Sequence, residues 1–305
     1  QRELASNWSM NVDWIQRWFR DMTTDQNCYG IPCDQVASTV YTQTRVATDA
    51  GPDNLAGGAD ARSLTFFDVK PEFLGKDTFL HTNCGNNVSI DCVQRYKALE
   101  MSISKRMSNR WQMQGSYVWS KLDGVAQGLI TSQTGLRPAG VYDFTNPNNL
   151  IDYVGFGRGA NDQPHAFKIL GSYQAPWGIN LGANFQALSG LPRDRTLTVG
   201  FSQGSRSVPV ESRGTYRGDF LNLLSLRADK GVRFAGHRAS FVAEVHNVLN
   251  SHAGQASATT SYGNLTQSFA TQAAFDAARR TTSYFGRVQE IVAPRVFKIG
   301  FKLDF

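Results

Sequence analysis

The last nine residues alternate without exception: Phe297, Ile299, Phe301, Leu303 and Phe305 are apolar, and Lys298, Gly300, Lys302 and Asp304 stand between them. A period of two makes a β-strand with one apolar and one polar face. An apolar row that runs to the final aromatic residue has to be covered by a packed core or by lipid. The pattern recurs upstream. Trp8, Met10, Val12, Trp14 and Trp18 alternate against Asn11, Asp13 and Arg17, and Leu99, Met101 and Ile103 against Glu100, Ser102 and Ser104. Beyond a turn at Ser108-Asn109-Arg110, Trp111, Met113, Tyr117 and Trp119 alternate against Gln112, Gln114, Ser116 and Ser120. His165 to Tyr173 and Trp177 to Phe185 form another pair around Ala175-Pro176-Trp177-Gly178. A strand near 220–234 turns at Ala235-Gly236-His237 into Phe241, Ala243, Val245 and Leu249, which alternate with Ser240, Glu244 and His246.

These are about eight strands, and their connections alternate between a few residues and roughly 25 to 75 residues. Compact soluble domains seldom hold loops longer than about 15 residues, whereas outer-membrane barrels combine short periplasmic turns with long extracellular loops. The fold class expected is therefore all-β, an antiparallel transmembrane β-barrel portion in the bacterial outer membrane. If Phe305 ends at the periplasmic rim, every short turn falls on the periplasmic side. The longest connection, 21–93, then becomes an extracellular loop, with a possible hairpin of its own near Val36–Val46 and Leu64–Val69.

Composition agrees. Charged residues are 18%, below the roughly 25% of ordinary soluble domains. No stretch approaches the roughly 20 apolar residues of a transmembrane helix, but barrel strands bury only alternate residues in lipid. The net charge is +6, yet the 31 Lys and Arg are scattered instead of forming a stripe, which argues against nucleic acid as a partner. The aromatic rows (Trp8, Trp14, Trp18, Trp111, Trp119, Tyr117, Trp177) suit interface belts facing outer-membrane lipid and lipopolysaccharide. The opposite rows must face water or protein, so Glu100, Gln112, Gln114, Ser116, Lys168 and Glu244 are expected to face the lumen. Only Gln272–Arg280 reads as mildly helical.

The chain opens on Gln1-Arg2-Glu3-Leu4 with no charged-then-apolar leader, as a mature chain or a fragment would. Four cysteines fall in two close pairs, Cys28/Cys33 and Cys84/Cys92, which suggests small disulfide loops in an oxidising compartment. Zinc is the rival, without the usual two-residue knuckles or a His pair.

The final segment also resembles the C-terminal sorting signal of outer-membrane barrels, with Lys298, Gly300, Leu303 and Phe305 at its defined positions, which implies the barrel assembly machinery as a partner. Tyr96-Lys97-Ala98-Leu99-Glu100, Ser104-Lys105-Arg106 and Gly115-Ser116-Tyr117-Val118-Trp119-Ser120-Lys121 look like the recurrent strand–turn–strand of TonB-dependent outer-membrane receptors of the Oar-like branch. Asp162-Gln163-Pro164-His165-Ala166-Phe167-Lys168 is similar to that family's strand entry before a late hairpin. Phe241-Val242-Ala243-Glu244-Val245-His246-Asn247-Val248-Leu249-Asn250 is similar to its penultimate strand, and Pro294-Arg295 to its ending. The resemblance implies energy-coupled uptake of an extracellular ligand that is scarce or large, without a cofactor. It also implies a plug and a TonB-engaging segment, neither of which is visible here. About eight strands fall short of the family's barrel of about 22. Residues 1–305 are then the C-terminal part of one barrel domain, or else a small closed barrel serving as adhesin or envelope anchor.

Sites for bond-making chemistry are sparse. His246 and His252 lie near one outer loop, where a metal or general-base role would define a rim-active barrel enzyme. No paired carboxylate or serine nucleophile motif accompanies them, and the expectation is no catalytic residue and no metal. Gly155-Phe156-Gly157-Arg158-Gly159 lacks the strand–loop–helix setting of a phosphate loop. Asp49 to Asp60 resembles an acidic family loop, but two acids are replaced by neutral residues, and calcium needs about six oxygen ligands. Arg217-Gly218-Asp219 reads as a chance integrin tripeptide. The Asn-X-Ser/Thr triplets at Asn7, Asn87 and Asn264 carry little meaning in a bacterial setting.

Overall fold

A computed structural model describes residues 2–20, 23–55, 57–83, 93–124, 146–150, 157–159, 161–212, 214–234, 237–257, 260–261, 269–278 and 284–304. Cys84, Cys92, Asn87, Asn264, Gly155, Phe156, Ala235, Gly236, Arg280 and Phe305 lie outside them.

Eight strands form one antiparallel wall: β1 (Trp8–Phe19), β2 (Gln94–Ser108), β3 (Trp111–Gly124), β4 (His165–Ala175), β5 (Ile179–Leu188), β6 (Leu221–Phe234), β7 (His237–His246) and β8 (Val296–Asp304). Each pairs with its sequence neighbour. A short strand, Arg2–Ala5, folds back on β1 through Asn7 at φ 71° and is not apparent from the sequence pattern. The pairings run as one open path from Arg2–Ala5 to β8, and among the described residues neither end strand has a second neighbour in the wall.

The tight turns gather at one end of the wall. Asn109 and Arg110, at φ 50° and 68°, make the two-residue β2–β3 turn whose twist matches that of the strands. Trp177 (φ 61°) and Gly178 (φ 72°) turn β4 into β5, which places Trp177 in the turn and not in β5. All four long connections leave from the opposite end, after β1, β3, β5 and β7.

The long connections carry structure of their own. The β1–β2 connection holds two hairpins, Thr23–Asn27 with Phe79–Asn83 and Gln43–Asp49 with Arg62–Asp68. The hairpin expected from Val36 instead begins at Gln43, because Val36–Thr39 is one turn of helix that follows the 3-10 turn Cys33–Gln35. Val36 is fully buried in a cluster with Cys28, Tyr29, Val40, Tyr41 and Val69, so burial of this apolar turn overrides its β-branched propensity. The structure joins Cys28 to Cys33 within the same cluster. The β5–β6 connection holds a hairpin of Thr196–Phe201 and Gly204–Pro209. In the β7–β8 connection, Gln272–Ala278 is helical as the sequence suggests.

Candidate functional site: a polar wall face under a cap of loops

Residues directly opposite one another in a ladder share a face, so the register lays out each surface of the wall. One row of the polar face runs Asn11, Ser102, Ser116, Lys168, Gln186, and the next runs Ser9, Ser104, Gln114, Leu170, Asn184. A third runs Gln112, Ser172, Gly182, Arg227, Glu244, Lys298. Glu100 stands opposite Asp13 and Val118 on the same face. The structure thus places Glu100, Gln112, Gln114, Ser116, Lys168 and Glu244 on one surface.

Between β1 and β5 that surface holds a groove of about 470 Å³, where serine hydroxyls, the carboxamides of Asn11, Gln114, Asn184 and Gln186, and Lys168 are joined by apolar groups such as Leu170. Ser9 and Ser104 hydrogen-bond across it at 2.7 Å. Towards β8 the surface is ionic: Glu244 accepts from Arg227 Nη1 at 2.7 Å and lies 3.2 Å from Lys298 Nζ. His246 Nε2 lies 3.7 Å from the same carboxylate, and His252 is exposed. Among the described residues no group of three or more His, Cys, Asp or Glu side chains is placed to hold a metal ion.

The other face is apolar and carries two aromatic tiers. Trp8 meets Trp111 edge-on at 5.7 Å near the short turns, and Trp14 stacks on Trp119 at 6.4 Å towards the loops. From Trp111 to Trp119 a strand rises roughly 26 Å, close to the roughly 25 Å apolar band of outer-membrane barrels. Tyr117 hydrogen-bonds His165 Nδ1 at 2.8 Å in the upper tier. Lys105 belongs to this face but curls into the β2–β3 turn. Its ammonium donates to the Ser108 carbonyl, Ser108 Oγ and the Trp111 carbonyl at 2.8–3.0 Å and lies 4.0 Å from the Trp111 ring centre.

Above the wall the long connections fold together. Ala47 and Phe66 from the β1–β2 connection pack with Leu197, Val199, Phe201, Val208 and Val210 from the β5–β6 connection, with Phe66 edge-on to Phe201 at 6.2 Å. Beside this core Arg195, 1% exposed, donates to both oxygens of the fully buried Asp49 and to Glu211 Oε1 at 2.6 Å. Arg62 approaches the same Asp49 and donates to the Val210 carbonyl. Burial opposes ionisation of Asp49, but the hydrogen bonds and charge of Arg195 outweigh it and hold the carboxyl below its ordinary range. The guanidinium of Arg195 is held the more firmly protonated. Asp68 is likewise depressed, against some desolvation, by the Ser202 amide and Arg45.

The remaining long connections join the same body. Asn148, from the β3–β4 connection, accepts from the Phe67 amide at 2.7 Å and donates to the Phe67 carbonyl at 2.6 Å. Thr260–Ser261, from the β7–β8 connection, pairs in parallel with Thr196–Leu197. Asp49 is therefore committed to arginines and is no calcium ligand of the acidic run. The Arg217-Gly218-Asp219 tripeptide is internal bracing: Arg217 binds Asp162, the Gly218 amide donates to the Leu191 carbonyl, and Asp219 accepts from the Gly254 amide. Of the Gly155–Gly159 run, Gly157–Arg158 pairs with Asp123–Gly124 as a strand. Sequence reading missed the Asp49–Arg195 link, although the alternation of Leu197, Val199 and Phe201 was an available sign of the second hairpin.

The family model of the outer membrane beta barrel domain matches residues 1–193, well over half of the chain. This chain belongs to the outer membrane β-barrel domain family. Membership places it in the bacterial outer membrane, where the aromatic-banded face is the one suited to lipid. Among solved structures, the outer membrane transporter YddB from Escherichia coli is similar at 11% identity and a TM-score of 0.40; all of this chain is covered, and it spans 31% of the transporter. No curated protein matches this outer membrane β-barrel domain.

Proposed function

We propose that residues 1–305 form the C-terminal wall of a TonB-dependent receptor of the Oar-like branch, which takes up a scarce or large ligand by energy-coupled gating. The polar face lines the lumen, the tight turns are periplasmic and the cap, including 21–93, is extracellular. The observation that carries this reading is an eight-stranded wall whose two edges have no further neighbour among the described residues, with a groove on its polar face. Open sheet edges have no place in lipid, so further strands are needed to close the wall. A barrel closed by about 22 strands has a lumen that needs filling, which a plug engaging TonB would supply.

Lys298, Gly300, Leu303 and Phe305 present the terminal strand to the barrel assembly machinery, and the cap meets the extracellular ligand. The chemistry is binding and gating, with no bond made or broken. Reading the encoding DNA upstream of Gln1 tests this. A continuous frame with a plug and further strands, towards about 22 in all, is the expected result. A signal peptide cleaved immediately before Gln1 would replace the transporter by a small closed barrel.

A further inference from the structure

At the tight-turn end two side chains are held where the backbone favours glycine. Arg110 sits at φ 68° in the β2–β3 turn and Trp177 at φ 61° in the β4–β5 turn. A bulky residue at positive φ carries a conformational cost that Gly or Asn avoids, and such strain marks positions kept for their side chains. Burial does not offset the cost, because Trp177 is 83% exposed and Arg110 is exposed as well.

The two turns are neighbours: the Gln174 amide donates to the Arg110 carbonyl at 2.7 Å. On the other side of Trp177, Ile179 stands opposite Lys230 of β6, and the exposed Arg233 lies three residues further towards the same end. Trp177 is therefore flanked by an arginine on each side. The acids nearby are engaged elsewhere. Asp229 accepts from Asn180 at 3.0 Å and lies 3.4 Å from Arg227, and Asp304 stands opposite Arg238 in the ladder. The edge is left basic.

Lipid headgroups fit this edge poorly. Tyr173 stands opposite Trp111 in the lower aromatic tier, and the apex of the β4–β5 turn lies roughly 10 Å further along the chain. A headgroup layer is only about 5–7 Å deep, so Trp177 reaches past it into water. Arg233 belongs to the polar face, with Arg227, and not to the face of the aromatic tiers.

We propose that Arg110, Trp177 and Arg233 form a docking edge for peptidoglycan, the carboxylate-bearing glycan–peptide polymer beneath a bacterial outer membrane. Trp177 stacks on the apolar face of an amino sugar, and the two guanidinium groups pair with carboxylates of the peptide stems. The assignment rests on the receptor reading, in which the tight turns are periplasmic.

The test sediments the full chain in detergent micelles with purified peptidoglycan sacculi. Trp177→Asn and Arg110→Gly should each weaken binding about tenfold, while their denaturant midpoints stay level or rise. Arg110→Gln/Arg233→Gln should bind as weakly, and Arg110→Lys/Arg233→Lys should keep most of the affinity. The cap pair Lys70→Gln/Lys76→Gln should keep all of it. Sacculi with amidated carboxylates should bind weakly, and phosphatidylglycerol added to the micelles should not displace intact sacculi. Unchanged binding in Trp177→Asn or in Arg110→Gln/Arg233→Gln would overturn the proposal. So would full binding of amidated sacculi, equal loss in the cap pair, displacement by phosphatidylglycerol, or a loss of binding that follows a fall in midpoint. A membrane-impermeant maleimide on cells carrying Met107→Cys reads orientation separately. Labelling above that of the unsubstituted chain only after the outer membrane is permeabilised keeps the turns periplasmic, and failure on sacculi then removes this edge alone. Labelling on intact cells removes the orientation and this proposal with it.

Discussion

Arg195 holds Asp49 by two parallel contacts, Nη1 to Oδ1 at 2.5 Å and Nη2 to Oδ2 at 2.7 Å, across 146 residues of chain. The pair links two hairpins that emerge from different long connections, and both its members are buried. Removing one partner leaves the other charge buried and unmatched, which costs about 3–5 kcal/mol. Asp49→Asn and Arg195→Met should each raise hydrogen exchange at Gln43–Asp49 and Thr196–Phe201 by about a hundredfold or more, with the β2–β3 ladder unchanged. The combined Asp49→Leu/Arg195→Leu variant should be less damaged than either single change.

Acid should open the cap before the wall. The carboxyls of Asp49 and Asp68 lie below their ordinary value of 3.8, so their contribution to stability is complete above that value and is lost as pH falls through their depressed values. Limited acid proteolysis scanned downward from pH 5 should begin to cut within 43–68 only below about pH 4. A shared onset in cap and wall would show that other groups control the acid transition.

Asn247 closes the end of β7. Its side chain accepts from the Ser251 amide and donates to the Ser251 and Ala293 carbonyls at 2.8–2.9 Å, while its backbone sits at φ 51°. Asn247→Gly keeps the backbone accessible and removes only the side-chain bonds, so it should cost about 1–3 kcal/mol. Asn247→Ala adds strain and should cost more. Denaturant midpoints of the two variants in micelles give the comparison.

The Cys28–Cys33 bridge closes a short loop, with a sequence separation of 5. Cys28→Ser/Cys33→Ser should loosen the cluster of Tyr29, Val36, Tyr41 and Val69 by about 2 kcal/mol. The same loosening should follow reduction of the native protein, read as protease sensitivity near Tyr29. Equal sensitivity with and without reductant would deny the bridge a structural role.

The wall was legible because its information is local. Period-two alternation in Trp8–Trp18, Leu99–Ile103 and Phe297–Leu303 fixes the faces, and Asn109-Arg110 marks a turn that any reader of dipeptides can find. The cap was not, because its stability comes from pairings between connections. Val36 looks like a strand residue until Cys28, Tyr41 and Val69 surround it, and Arg195 shows no sign in the sequence of its bond to Asp49. Polar-face residues such as Gln114 and Lys168 could be placed on one face by parity alone.

The way the four long connections interlock bears on how such a surface can be altered. Asp49 answers to Arg195, Phe67 to Asn148 and Thr196 to Thr260, so each connection completes its neighbour. A graft of one connection into a related barrel would arrive with severed pairings and a bared apolar hairpin. Recombination that preserves the packing of the cap must therefore carry all four together, and the cap's exterior is altered by point changes more readily than by exchanging single loops.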